Sequence, residues 1–280
     1  MARIAIIGGG GMGEALLAGL LRAGRQVKDL VVAERLADRA DYLSNKYSVR
    51  MASVGAAVEN ADFVIIAVKP SDAESVVAVI AELAAQADSD TVEQVLISVC
   101  AGITTAFYEA RLPAGSPVIR VMPNAPALVG AGVSALAKGR FATDEHLAQA
   151  STLFESVGAV VTVPESQLDA VTAVSGSGPA YFYLFVEALV DAAVANGLQR
   201  AIATDLVAQT MAGSAAMLLE RIDDERTAGT DTGLDTTPAR LRAMVTSPAG
   251  TTAAGLRELE RGAVRAAVTA AVDAAKTRSE

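Results

Sequence analysis

The chain has 280 residues, and 52% of them are apolar, which is enough for two domains of ordinary size with sizeable cores. Its formal charge of -9 counts against nucleic-acid binding, because proteins that bind nucleic acids present a basic face. Cys100 is the only cysteine and His146 the only histidine. The composition therefore excludes an internal disulfide and leaves almost no material for a histidine-based triad or metal site.

The expected location is the cytoplasm. The apolar run before Gly8 is too short for a signal peptide. No later segment offers about 20 apolar residues free of charge, as a membrane span requires. We therefore expect a soluble protein that does not bind a membrane.

The first half of the chain alternates short apolar runs with segments of helical length. Continuous apolar runs are typical of strands that are covered on both faces. The predicted strands are Ile4–Ile7, Leu30–Ala33, Phe63–Val68, Val95–Val99, Val118–Val121, Val133–Leu136 and Val160–Val163. The predicted helices are Glu14–Arg22, Ala37–Lys46, Ser71–Ala85, Thr104–Arg111 and one that Thr143 caps. This alternation predicts a parallel, doubly wound α/β domain of the Rossmann type.

After Pro164 the pattern predicts helices only, so we place a domain boundary near residue 163, between domains 1–163 and 164–280. A helix around Tyr181–Ala192 is apolar on nearly all sides, which favours burial against a second chain. We therefore expect an obligate homo-oligomer, at least a dimer. A second helix is predicted over Arg200–Arg221, followed by a flexible loop over Asp223–Thr237. Further helices are predicted from Pro238, over Leu256–Leu259 and over Ala263–Lys276, with a break at Thr246–Gly250.

A glycine-rich motif follows the first strand directly. The run Gly8-Gly9-Gly10-Gly11-Met12-Gly13 fits G-x-G-x-x-G and precedes a helix. In this motif the first glycine permits a tight turn, the second lets a pyrophosphate approach, and the third lets helix and strand pack closely. The predicted cofactor-binding residues here are Gly8, Gly10, Gly11, Met12 and Gly13.

The residues after the second strand bear on the choice of cofactor. Glu34 stands where a carboxylate would bind the ribose hydroxyls of NAD. Arg35 and Arg39 stand where guanidinium groups could hold the 2′-phosphate of NADP. The prediction favours NADP, with NAD as the alternative; a solvated Glu–Arg pair at a helix start is the structural alternative.

Five ordered motifs resemble the Δ1-pyrroline-5-carboxylate reductases, and the likeness spans the whole chain. They are Ile7–Gly13, Ala67–Pro70, Arg120–Pro126, Ser175–Tyr181 and Thr246–Gly255. The resemblance implies a Rossmann-type domain followed by an all-helical oligomerisation domain. It also implies hydride transfer from NAD(P)H to the C=N carbon of Δ1-pyrroline-5-carboxylate, which gives L-proline, the last step of proline biosynthesis. A homodimer is implied, with a decamer as one form of further assembly.

The chain departs from the family pattern in three places. The signature proline, Pro248, is followed by Ala249-Gly250 where the family usually has Gly-Gly. If that position requires a positive φ, Ala249 is strained. Val54 stands where the family often has an asparagine, and the Asp223–Thr237 loop is longer than usual.

The resemblance implies further cofactor contacts at the strand ends. Ala67, Val68, Lys69 and Pro70 end a strand at the carboxyl edge of the sheet, where open α/β folds bind ligands. Cys100 and Ala101 end the next strand and are expected beside the same pocket. We interpret Cys100 as a small core residue rather than a nucleophile. Asn124 lies between prolines, either as a turn former or in contact with the nicotinamide carboxamide.

The predicted substrate-binding residues come from the second half. Glu165 matches a family acid near the substrate, with a surface glutamate as the alternative. Ser175 belongs to a Ser-Gly-Ser-Gly-Pro run that we interpret both as a helix cap and as a wall of the pocket. The remaining residues begin a helix whose free N–H groups can bind a small carboxylate without a basic side chain. They are Ser247, Ala249, Gly250, Thr251 and Thr252.

Thr252 is the predicted catalytic residue, since the resemblance implies that its hydroxyl lies near the ring nitrogen. A protonated imine is already a strong electrophile, so a chain with a single histidine can suffice. A related imine reductase or β-hydroxyacid dehydrogenase is the enzymatic alternative. The latter needs a catalytic lysine in the second domain, and no lysine occurs between Lys138 and Lys276. A regulator that binds the dinucleotide without catalysis is the other alternative.

Overall fold

The computed structural model describes residues 2–86, 93–229 and 236–279. Two compact units are present: Met1–Pro179 together with Val272–Glu280, and Ala180–Ala271. The first unit is an α/β domain, and the second contains helices but no strand among its described residues. The predicted boundary near residue 163 stays a prediction.

The first unit contains one eight-stranded sheet. Its strands are β1 Ile4–Ile7, β2 Leu30–Ala33, β3 Arg50–Met51, β4 Phe63–Ile66, β5 Val95–Ser98, β6 Val118–Met122, β7 Gly132–Lys138 and β8 Gly158–Thr162. The spatial order is β3-β2-β1-β4-β5-β6-β7-β8. The first six strands are parallel and follow the order of dinucleotide-binding sheets, which confirms the predicted fold class.

The sheet differs from the prediction in two details. Strand β7 runs antiparallel to β6, so the sheet is mixed rather than wholly parallel. Strand β3 was not predicted, because its two residues carry no apolar run and are not buried.

The helices, in chain order, surround this sheet and then form the second unit. They are α1 Gly11–Arg22, α2 Ala37–Tyr47, α3 Val54–Val58, α4 Ala73–Gln86, α5 Thr105–Glu109, α6 Asp144–Glu155, α7 Leu168–Val171, α8 Gly178–Ala195, α9 Arg200–Thr227, α10 Thr237–Met244, α11 Thr251–Arg261 and α12 Val264–Ser279. The predicted cap of α6 is confirmed: the Thr143 hydroxyl accepts the His146 N–H at 3.2 Å. The His146 ring in turn accepts the Thr143 N–H at 3.3 Å.

The central strands are apolar at every position because each face of the sheet packs against its own core. Ile4 and Ile6 of β1 belong to one core, which includes α1. Ala5 and Ile7 belong to the other core, which includes α4. Alternate residues of a strand point to opposite faces, so a strand with two covered faces needs apolar side chains throughout.

The predicted loop over Asp223–Thr237 is corrected at both ends. Helix α9 continues to Thr227, and α10 already begins at Thr237. Residues 230–235 of that prediction lie outside the described residues. Ion pairs Arg221–Asp224 and Arg226–Asp223, each three residues apart, accompany the charged end of α9 and are of the kind that supports a helix.

Helix α8 exposes large apolar side chains within the single chain. Phe182, Tyr183 and Leu184 are 63%, 61% and 67% exposed. By length and composition, the helical stretches Glu165–Ala195 and Arg200–Thr227 could each cross a membrane. This criterion admits up to two charged residues and is therefore weaker than the charge-free run of about 20 apolar residues that the sequence was expected to lack.

Candidate functional site

The glycine-rich loop is packed so closely that side chains are excluded at two positions. Gly8 has φ +105°, and a Cβ there would lie 2.6 Å from the Ala67 carbonyl oxygen. A Cβ on Gly13 would lie 1.9 Å from the Gly8 oxygen. The Gly8 N–H donates to the Ala33 oxygen at 2.8 Å. The loop therefore joins β1, β2, β4 and α1 in one fixed backbone arrangement.

Between these two positions the loop is open. Gly10 and Gly11 are exposed, and no atom of residues 2–86, 93–229 or 236–279 lies within 4 Å of a Cβ built on either of them. Gly10 is the N-cap of α1, and no side chain from the described part of the chain caps this helix end. The first N–H groups of a helix have no partner within the helix and attract anions. This cradle fits the pyrophosphate of a dinucleotide.

The Gly9 peptide is held from both sides by side chains. Its N–H donates to Glu34 Oε2 at 2.8 Å, and its oxygen accepts from Arg39 Nε at 2.6 Å. The other carboxylate oxygen of Glu34 accepts the Leu36 N–H at 2.8 Å. Glu34 and Arg39, both considered as ribose or phosphate ligands, thus hold the loop. Arg35 is instead 82% exposed, with its guanidinium 3.9 Å from Asp72.

Glu14, in the first turn of α1, anchors a polar network behind the loop. Its carboxylate forms an ion pair with Arg39 and accepts from Lys46 at 3.0 Å and Tyr47 at 2.8 Å. Partial burial would raise the pKa of Glu14, but hydrogen bonds from Lys46, Tyr47, Arg39 and Tyr42 outweigh it and lower that pKa to about 2. The carboxylate is therefore charged at neutral pH and ties α1 to α2. The sequence did not predict this network, since Glu14 lies 25 or more positions from each of its partners along the chain.

Strands β4 and β5 deliver the next predicted residues to the same carboxyl edge. The Ala67 N–H donates to Ile7 at 2.7 Å, and Lys69 and Pro70 are exposed. Cys100 is buried, and its thiol lies 3.3 Å from the Val68 oxygen, to which it donates. Burial raises the pKa of this thiol, which makes it a poor nucleophile.

Glu165 lies at the start of α5. Its carboxylate accepts from the Thr105 N–H at 2.7 Å and from the Thr105 hydroxyl at 2.6 Å. The buried Arg120 of β6 lies 3.3 Å from the same carboxylate. In this arrangement Glu165 holds α5 and neutralises a buried cation; its predicted substrate contact stays a prediction.

The Thr246–Thr252 segment, in the second unit, forms a second helix start. Gly250 is the N-cap of α11, and no side chain caps this end among the described residues. Ala249 has φ +59°, which is the left-handed conformation. Alanine is strained in this conformation, whereas the glycine that the family usually has there would not be. Ser247, Thr251 and Thr252 are exposed. Free N–H groups beside small hydroxyls suit a carboxylate ligand.

Taken together, a Rossmann-type sheet with an open glycine cradle defines a dinucleotide-binding protein of the oxidoreductase class. Residues 165–280 match the family described as pyrroline-5-carboxylate reductase dimerisation. Residues 3–102 match the family described as NADP oxidoreductase coenzyme F420-dependent.

Curated relatives and solved structures agree along the whole chain. The pyrroline-5-carboxylate reductase of Mycobacterium tuberculosis is 67% identical over 100% of this chain and 96% of its own length. That of Mycobacterium leprae is 64% identical over the same shares. The solved reductase of Coxiella burnetii has a TM-score of 0.87 at 33% identity, covering 99% of this chain and 97% of that one. The chain belongs to the pyrroline-5-carboxylate reductase family.

Another solved relative carries a dinucleotide. The pyrroline carboxylate reductase of Plasmodium falciparum, solved with NADP bound, has a TM-score of 0.82 at 30% identity. It covers 99% of this chain and 97% of that one.

Proposed function

We propose that this protein is a Δ1-pyrroline-5-carboxylate reductase that makes L-proline in the last step of proline biosynthesis. The observation that carries the proposal is the 67% identity to a reductase of that name over the entire chain. The open cradle at Gly10 and Gly11 and the uncapped start of α11 support it, because the reaction requires one site for a dinucleotide and one for a small carboxylate.

NADP is the proposed cofactor, with NAD as the alternative. Gly8, Gly10, Gly11, Met12 and Gly13 would hold the pyrophosphate, since the cradle leaves room at two glycines and excludes side chains at two others. The exposed guanidinium of Arg35 would bind the 2′-phosphate. When bound, the reduced nicotinamide supplies the hydride that adds to the C=N carbon.

The remaining predicted cofactor residues lie at the ends of β4, β5 and β6. These residues would form the walls of the nicotinamide pocket, at the carboxyl edge of the parallel strands. They are Ala67, Val68, Lys69, Pro70, Cys100, Ala101 and Asn124.

The substrate carboxylate is proposed to bind at the start of α11. The N–H groups there carry partial positive charge, which matters in a chain whose net charge is -9. Thr252 would orient the protonated ring nitrogen through its hydroxyl, and water would resupply the proton. Ser175 and Glu165 are the proposed residues of the pocket on the other segment.

The proposed assembly is a homodimer built through residues 164–280, with a decamer as one form of further assembly. The exposed Phe182, Tyr183, Leu184 and Phe185 of α8 support this, because monomeric proteins rarely expose such contiguous apolar surface. Burial of apolar surface in a dimer would also explain why two helical stretches are apolar, with no need for a membrane. The proposed location is therefore the cytoplasm. A functional boundary near residue 163 is part of the same proposal.

The direct test is a spectrophotometric assay of NADPH and NADH oxidation with Δ1-pyrroline-5-carboxylate, with proline measured as the product. We expect proline to form in step with NADPH oxidation, and NADPH to be preferred over NADH. A protein that binds NADPH but shows no oxidation with the imine would contradict the proposal and favour a regulatory role.

A further inference from the structure

A π-turn interrupts the helical segment that leads into α8. It spans Thr172–Gly176, and the Ser177 N–H donates to the Thr172 oxygen at 2.9 Å, five residues back. Such turns hold one extra residue, are rare, and occur frequently at functional sites. Because the wider turn has to be maintained against the ordinary helix, it needs contacts from elsewhere in the fold.

Asn124 provides one such contact through both ends of its amide. Its Nδ2 donates to the Ser175 oxygen at 3.2 Å, and its Oδ1 accepts the Val133 N–H at 2.9 Å. A donor thus meets a carbonyl and an acceptor meets an N–H, so only this orientation of the amide satisfies both partners. One side chain joins the carboxyl end of β6 to the start of β7 and to the π-turn.

Close packing at Gly176 is a second, independent contact between the turn and the sheet. A Cβ on Gly176 would lie 3.0 Å from the terminal methyl of Met122, the last residue of β6. The turn therefore lies directly against the end of the strand that Asn124 follows.

We propose that Asn124 is a positioning residue, which holds the π-turn and Ser175 at the carboxyl edge of the sheet in the arrangement that imine reduction requires. This inference rests on the proposed function, in which Ser175 lines the substrate pocket. Both ends of the amide are bonded to backbone groups, so the side chain acts on the pocket through the turn that it holds. Without its donor, the turn is free to relax to the ordinary helical register.

The variant that tests this is Asn124→Asp. It keeps the side-chain shape and the acceptor for Val133, but an oxygen replaces the N–H that faces the Ser175 carbonyl. At about pH 8 we expect KM for the imine to rise roughly tenfold, while KM for NADPH changes by less than about twofold. Direct contact with the cofactor predicts the reverse.

Low pH should restore the lost hydrogen bond in the same variant. A protonated aspartate can donate to the Ser175 oxygen, whereas the charged form places an oxygen without a hydrogen against that carbonyl. The activity of the variant relative to the wild type should therefore rise as pH falls from about 8 towards about 4.5, near the ordinary aspartate pKa of about 3.9.

Gln94→Glu is the matched control. The Gln94 amide also donates to a backbone oxygen, that of Val58 at 2.7 Å, but it precedes β5 at the opposite edge of the sheet. We expect its KM values and pH dependence to follow the wild type. An Asn124→Asp ratio that stays flat with pH, or equal rises of both KM values, would overturn the proposal.

Hydrogen exchange gives a readout that does not need turnover. In Asn124→Leu, which removes both bonds, the amide of Ser177 should exchange at least about tenfold faster than in the wild type. Unchanged exchange at Ser177 would refute the claim that Asn124 holds the turn. If the wild type does not reduce the imine at all, the proposed function fails, and exchange still decides whether Asn124 holds the turn.

Discussion

The two proposed binding loops of this protein are both helix starts, but they differ in how the chain holds them. The glycine loop at Gly8–Gly13 is fixed by contacts with three strands and by the Glu34 and Arg39 side chains. The loop at Ser247–Thr252 is largely exposed, and its described bonds are local, such as that from the Gly250 N–H to Ser247 at 3.1 Å. The dinucleotide cradle is therefore preformed in one chain, whereas the proposed carboxylate site gains little from the rest of its own unit.

The largest expected effect is in the packed loop. In Gly13→Ala the new methyl group would meet the Gly8 oxygen at 1.9 Å, so the backbone has to move. We expect NADPH affinity, measured by fluorescence titration, to fall by at least about a hundredfold, and stability to urea to fall by about 1–3 kcal/mol.

Gly10→Ala separates the loss of NADPH affinity from the loss of stability. Its Cβ would meet no atom of the described residues within 4 Å, and its φ of −64° suits alanine, so urea stability should stay unchanged. Its NADPH affinity should still fall, because the methyl group would occupy space intended for the pyrophosphate. Equal stability of Gly13→Ala and Gly10→Ala would break the contrast between a packed loop and an open cradle.

Thr252→Ala tests the exposed loop. We expect kcat to fall at least about tenfold, equivalent to roughly 1.4 kcal/mol of transition-state stabilisation. Thermal stability should not change, since Thr252 is exposed. Thr251→Ala, one position earlier and equally exposed, is the control and should retain more activity. Undiminished turnover in Thr252→Ala would remove this hydroxyl from the proposed chemistry.

Glu14→Gln tests the network behind the packed loop. The pKa of Glu14 is lowered from 4.5 to about 2, so its contribution to stability is present above about pH 4.5 and is lost as pH falls towards 2. At about pH 7 the variant should be less stable to urea by about 1–2 kcal/mol, as expected for weakened hydrogen bonds to a charged group. The difference should shrink below about pH 3, and a difference independent of pH would contradict the assignment.

The sequence predicted the packed half of the molecule better than the exposed half. Strands such as Ile4–Ile7 were found at their observed bounds because burial on both faces leaves only apolar residues. The antiparallel direction of β7 was not predicted, since the apolar pattern of a strand does not depend on the direction in which the strand runs. The end of α9 was taken for a loop because Asp223–Thr227 is polar, yet ion pairs on an exposed helix need no apolar face.

The residues of the candidate site could also be predicted only in part. The glycine motif identified its loop, because the spacing follows from backbone geometry. The tasks of Glu34, Arg39 and Asn124 depend on partners such as Gly9 and Ser175, which only the folded chain brings within reach. A carboxylate near a ribose and a carboxylate that holds a loop look alike in one sequence.

Ala249→Gly carries the smallest expected effect and bears on the exposed loop alone. An L-residue in the left-handed region costs about 1–2 kcal/mol, while glycine costs about 0.5–1 kcal/mol more unfolded-state entropy than alanine. Since Ala249 has φ +59°, the first cost outweighs the second, and the variant should gain about 0.5 kcal/mol in urea unfolding. Ala253→Gly, inside α11, should lose about 1 kcal/mol. If both substitutions destabilise the protein equally, the left-handed conformation at Ala249 is not strained. The exposed loop then carries no more backbone strain than the packed loop.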